Sequence, residues 1–158
     1  MESLESMWRT YEAIGEWIRA ADLKVSVLLG AEGIMVGFIS SRLLVQIMKP
    51  ALTVLLIAYA LSALATLFCC VMCIKPMLKA GEPTSTIYFD HISRRYSNGE
   101  NFAKDIINQW GKEGFIEKEV SCQIWAIAKV ASRKHSWVAA SNWTFVISAL
   151  FGVVLVIF

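Results

Sequence analysis

The chain has 158 residues, 56% of them hydrophobic and 18% charged, with a mean hydropathy of +0.54. Soluble domains reach about 45–50% apolar residues even with glycine counted, so this composition excludes disorder and an ordinary soluble domain and points to a membrane protein. A net charge of +2, from 15 Lys+Arg against 13 Asp+Glu, leaves no polycationic surface for a nucleic-acid backbone. Four cysteines, three of them (Cys69, Cys70 and Cys73) inside one apolar run, do not make a secreted disulfide scaffold.

Residues 1–24 carry Glu2, Glu5, Arg9, Glu12, Glu16, Arg19, Asp22 and Lys24, where a signal peptide needs an uninterrupted apolar stretch. The expectation is a retained N-terminal helix. Leu4, Tyr11, Ile18 and Val25 at one heptad position, with Met7, Ile14, Ala21 and Leu28 at another, form an apolar seam that runs into the next segment without a break. Residues 25–48 are the first membrane span, interrupted only by Glu32 and by Arg42, which is near enough to the end to snorkel. Residues 51–74 hold no charge and lie between Lys49-Pro50 and Lys75-Pro76, so both prolines fall at span ends, where a missing N–H does least harm.

Residues 75–136 are a polar insert. It contains Gly81-Glu82-Pro83, the turn signal Ser97-Asn98-Gly99, a short amphipathic run with Phe102, Ile106, Ile107 and Trp110, and the breaker Gly111-Lys112-Glu113-Gly114. Ile116, Val120, Gln123 or Ile124, Ile127 and Val130 then mark a helical stripe leading into the last span, residues 137–158, which are uncharged and open with the interface aromatics Trp137 and Trp143. About 20 residues of helix cross the hydrocarbon, and each span meets that length. The fold expected is an all-α membrane protein of three transmembrane helices, with a small helical insert between the second and third and long, stalk-like first and last helices.

Arg19, Lys24, Lys75, Lys79, Lys129, Arg133 and Lys134 flank the spans on one side, Arg42 and Lys49 on the other. Cytoplasmic flanks carry the excess of basic residues, so the N-terminus and the insert are expected in the cytoplasm and the C-terminus at the outer face.

Four constellations carry chemistry. Ser26, Gly30, Gly33, Gly37 and Ser40 lie along one line of the first span, and Gly33 to Gly37 has the spacing that lets helix backbones approach closely in lipid. This column packs either on another span of the same chain or on a second copy. Glu32 is roughly two turns into the span and about 120° from that column; it lines or gates a pore, unless the span enters the bilayer later and leaves it at the interface. The Cys69-Cys70-x-x-Cys73 cluster reads as small apolar packing rather than a metal or lipidation site. Thr84 to Tyr96 gathers hydroxyls, the rings of Tyr88 and Phe89, His91, Arg94 and Arg95, the set that a small anionic ligand with a planar base needs. The alternative there is a solvated face for the two arginines, with Ile87, Phe89 and Ile92 in a core. Asp22 and Lys24 stand at the mouth of the first span, near enough to join such a pocket. No catalytic constellation, metal-ligand set or cofactor motif is present in the sequence.

Ala20-Ala21-Asp22-x-Lys24-x-x-x-Leu28-Leu29-Gly30 leading into the first span, and Ser85-x-Ile87-Tyr88-Phe89-Asp90-His91-Ile92 after the second, resemble the Pycsar transmembrane effectors over nearly the whole chain. The resemblance implies a bacterial inner-membrane protein of antiphage defence, functionally linked to a pyrimidine cyclase. It implies that cyclic UMP or cyclic CMP made on infection is the ligand, and that the effector then impairs the membrane so that the host dies before phage release. Lys24, Ser85, Tyr88, His91 and Arg94, with Asp22 and Arg95 beside them, are the residues on the matching segments whose chemistry suits that ligand. Three spans enclose little space, so membrane damage calls for a homo-oligomer, with Glu32, Gly33 and Gly37 at the pore or gate. A constitutive membrane assembly protein and a ligand-independent, holin-like pore former are the competing expectations.

Overall fold

A computed structural model describes residues 2–43, 50–75 and 85–157. The elements are α1 (Glu2–Leu43), α2 (Pro50–Ile74), α3 (Phe89–Arg95), α4 (Gly99–Trp110) and α5 (Phe115–Ile157). Three of them, α1, α2 and α5, are long and apolar enough to cross a membrane. Both α1, with 42 residues, and α5, with 43, run unbroken through the boundary between polar and apolar sequence. At about 1.5 Å per residue each is roughly twice the thickness of the hydrocarbon core. The expected stalk-like first and last helices are therefore present. Pro50 is the first residue of α2, as the proline-marked entry requires; Lys49, Pro76 and the Gly81-Glu82-Pro83 turn lie outside the described residues, as do the structures of 44–48.

Packing divides the chain into two compact units, one from Met1–Ile18 and Pro76–Ala131, the other from Arg19–Lys75 and Ser132–Phe158. In the second unit two apolar clusters form the interior. Ala21, Val25, Cys70, Cys73 and Val138 make the first, with Leu28, Leu29 and Trp137 against it. Ile39, Tyr59 and Leu155 make the other, joined by Met35, Leu52, Leu55, Leu56 and Phe151. Cys70 and Cys73 thus serve as small packing residues, and the Cys73 thiol donates to the Lys134 carbonyl at 3.6 Å. Large apolar side chains such as Leu23, Val27, Ile34, Leu61, Leu64 and Val153 cover the outside. Polar groups lie within the bundle: Glu32, Thr66, Ser141 and Ser148 are fully buried. Apolar exterior with polar interior is the arrangement of a bundle solvated by lipid.

One of the two expectations for the small-residue column is corrected here. Ser26, Gly30, Gly33, Gly37 and Ser40 are all exposed, and a Cβ added at Gly30, Gly33 or Gly37 would meet nothing within 4 Å. Contact with another span of the same chain is thereby excluded. The physical reason is the rotation between the column and Glu32: the bundle turns the carboxylate inward, so the glycines about 120° away face out.

In the first unit Ile14 and Val120 are buried, and the remaining members of the two seams, Leu4, Met7, Tyr11 and Ile18 on α1 and Ile116, Ile124, Ile127 and Val130 on α5, are half-buried. Asn98 caps α4, its Oδ1 accepting the Asn101 N–H at 2.9 Å. Gly114 has φ +73°, a left-handed conformation that glycine adopts without steric penalty, and it sets the chain direction into α5. The amphipathic run is a helix as expected, but Ile107 and Trp110 are exposed while Phe102 and Ile106 are half-buried. Adjacent residues stand about 100° apart on a helix, so Ile106 and Ile107 cannot both face inward.

Removing the α4 cap by Asn98→Ala is expected to destabilise by about 1 kcal/mol, visible as a lower midpoint in thermal unfolding of the detergent-solubilised protein followed by circular dichroism.

Candidate functional site

The segment entering α3 folds into a tight polar turn against α5. Ser85 and Thr86 are both buried. The Ser85 hydroxyl oxygen accepts N–H groups from Ile87 at 3.2 Å and Tyr88 at 3.3 Å, and the Gln123 amide at 2.8 Å. With its lone pairs engaged, its own hydrogen is left to donate, and the partner is Oε2 of Glu119 at 3.2 Å. The same carboxylate oxygen accepts the Thr86 N–H at 2.9 Å and the Thr86 hydroxyl at 3.3 Å. Three donors therefore converge on one oxygen. Glu119 and Gln123 reach the turn together because they stand four residues apart on α5, on one face of the helix.

His91, in the first turn of α3, accepts the Ser85 N–H at Nδ1, 3.2 Å away. That bond leaves Nε2 as the protonated nitrogen of the neutral ring. The Tyr88 ring packs edge-on to His91 at 5.0 Å and tilted against Phe89 at 4.9 Å. Burial, helped by the Asp90 charge, raises the Tyr88 phenol above its ordinary pKa, so it stays a neutral donor at physiological pH. Arg94 faces Asp90 at 3.7 Å and Arg95 reaches Asp105 at 3.0 Å. Asp105 also accepts from the Tyr96 hydroxyl and from Gln109 at 2.6 Å. The Tyr96 bond and the Gln109 bond, in that order, hold the Asp105 carboxyl below the usual carboxylate range.

Ser85, Tyr88, His91, Arg94 and Arg95, all expected from sequence, thus fall on one short stretch of a single unit, Ser85 and His91 directly bonded. Asp22 and Lys24 belong to the other unit. There Asp22 makes an ion pair with Lys134 of α5, and Lys24 is exposed. Of the core proposed for this segment in the alternative, Phe89 is 68% exposed and Ile87 and Ile92 are only half-buried. Thr84 lies outside the described residues. Glu119 and Asp105 were not singled out by the sequence, and Gln123 entered only as a position of the helical stripe. Glu119 is a polar position beside the apolar stripe, and only its four-residue spacing from Gln123 on that helix signals a shared partner.

Within the other unit, Glu32 is fully buried and its Oε1 accepts the Ser148 hydroxyl at 2.7 Å. Its second oxygen, Oε2, has no hydrogen-bond partner among the described residues. Glu32 is therefore inside the bundle. Gly33 and Gly37, one and five residues further along α1, are exposed.

Comparison with known proteins decides the family. The model of the Pycsar effector protein domain matches residues 6–158. The chain belongs to the Pycsar effector protein family. It is also similar to the Pycsar effector protein PtPycTM of Propioniciclava tarda, with 23% identity over 141 residues, covering 85% of this chain and 69% of that protein. No solved structure matches. The protein is thus a membrane effector of the Pycsar antiphage type, and its three long apolar helices agree with that placement.

Because the Asp105 carboxyl titrates lower in the folded protein than in the unfolded chain, its contribution to stability is complete above about pH 4, the ordinary carboxylate range. The contribution is lost as pH falls toward the folded value. Thermal midpoints of the wild type and Asp105→Asn, measured from pH 7 to pH 3, are expected to differ most at neutral pH and to converge at the acid end.

Proposed function

We propose that this effector binds cyclic UMP or cyclic CMP, made by a partner pyrimidine cyclase, on the stretch from Ser85 to Arg95, and responds by impairing the bacterial inner membrane. The observation that supports the reading best is the grouping on that stretch of an oxyanion-type hydrogen-bond seat, a ring cluster and two guanidinium groups. Such a set suits a phosphodiester joined to a planar base. Arg94 is the more available guanidinium: its side chain is 44% exposed and its carboxylate contact is longer than that of Arg95. The effector works without catalysis, and the basic flanks favour a cytoplasmic insert and N-terminus with a periplasmic C-terminus.

Action on the membrane follows from association. The small-residue column is exposed along α1, and small residues let helices approach closely in lipid, which supports a homo-oligomer built through Gly33 and Gly37. Glu32 is the ionisable group that such an assembly would uncover. A ligand shifts this equilibrium only by its differential affinity for the closed and open forms.

Isothermal titration of the purified full-length protein with cyclic UMP, cyclic CMP and cyclic AMP tests the reading. Binding confined to a cyclic pyrimidine nucleotide is expected; absence of binding by all three favours the assembly protein or the holin-like pore former. Arg94→Ala is expected to abolish the ligand response while the protein remains inserted. Glu32→Gln should alter dye leakage from vesicles with nucleotide affinity unchanged. Because a Cβ added at Gly37 would meet nothing within 4 Å among the described residues, Gly37→Leu should preserve the thermal midpoint and reduce the oligomer trapped by cross-linking.

A further inference from the structure

The seat at Ser85-Thr86 is already filled, and the group that fills it is an anion of the protein itself. A single oxygen of Glu119 takes the Ser85 hydroxyl, the Thr86 N–H and the Thr86 hydroxyl at 3.2, 2.9 and 3.3 Å. The orientation of these donors does not depend on Glu119 alone. Two backbone N–H groups and the Gln123 amide point at the Ser85 oxygen, which directs its hydrogen outward, and the turn itself fixes the Thr86 N–H. With Thr86 only 2% exposed, these donors are poorly served by water. Unfilled, they would leave buried polar groups unsatisfied, which is costly. They therefore require an acceptor, and an anionic one forms the stronger bonds.

A phosphodiester oxygen meets the same requirement: it carries negative charge, accepts several hydrogen bonds and has no proton to donate. Resting on the function proposed above, we infer that Glu119 is a built-in competitor for the nucleotide phosphodiester: it holds the Ser85-Thr86 seat in the absence of ligand and is expelled when the phosphodiester takes those three donors. Expulsion moves a side chain of α5, the helix that continues to Ile157. The binding event is thereby converted into a change on a membrane-crossing helix. Competition also sets the sensitivity of the effector, because apparent affinity is the intrinsic affinity reduced by the fraction of molecules whose seat is open.

The test uses the full-length protein in vesicles, comparing wild type, Glu119→Gln and Glu119→Asp. Glutamine removes the charge, whereas aspartate keeps it but withdraws it by one methylene. Circular dichroism first establishes that each variant retains its helical content; Glu119→Asp carries the test if the amide variant fails there. The expected results are faster hydrogen exchange at the Thr86 amide without ligand, tighter binding of cyclic UMP or cyclic CMP, and dye leakage in the absence of nucleotide. Tightening should approach tenfold for Glu119→Gln, the factor that follows if about one wild-type molecule in ten has an open seat, and should be smaller for Glu119→Asp. Unchanged or weaker nucleotide binding in a folded variant would overturn the inference. If neither wild type nor variants bind any cyclic nucleotide, the sensor function fails and competition with a nucleotide is overturned with it; ligand-free leakage from the variants alone would then mark Glu119 as a contact that holds the closed form, a result distinct from failure of the competition in a protein that does bind.

Discussion

A carboxyl group inside a bundle of lipid-solvated helices has to find its partners within the protein, and the membrane unit is organised around that requirement. Glu32 meets it through Ser148, which ties α1 to α5. Along α1 this contact lies between the cluster around Val25 and the cluster around Ile39. Turning Glu32 inward determines what else α1 can bury: Val25 and Ile39, one helical repeat to either side, enter the core, while Gly33 and Gly37 are carried to the outer surface. One oxygen of the carboxyl remains without a partner among the described residues, so the node is incompletely satisfied.

The insert unit uses the opposite economy. Its core is small, and polar contacts supply much of its definition: Asn98 caps α4, Asp105 gathers Tyr96, Gln109 and Arg95, and Glu119 and Gln123 pin the turn before α3. Arg94 and Arg95 both face carboxylates.

Much of this was legible in the sequence because period and length are local properties. The seams Leu4 to Leu28 and Ile116 to Val130 are buried or half-buried as their spacing implies, and Asn98, Gly111 and Gly114 punctuate the chain where expected. The inward direction of Glu32 follows from the cost of placing an acid against lipid. What could not be read was the choice among partners. The small column offered two surfaces of similar chemistry, and only the bundle's rotation excludes the internal one. Glu119 was hidden for a related reason: a glutamate on an exposed-looking helical face is ordinary, and its significance arises from a turn more than 30 residues earlier, a separation that no local pattern encodes.

The four cysteines differ sharply in their surroundings. Cys69, Cys70 and Cys73 are buried in the membrane unit, whereas Cys122 is exposed on α5, three residues beyond Glu119. Thiol reagents act on accessible thiolates, so the natural chain presents one site for a maleimide fluorophore or spin label without engineering. A label there sits less than one helical turn from the Glu119 contact, and any rearrangement of that part of α5 would be written directly into its spectrum.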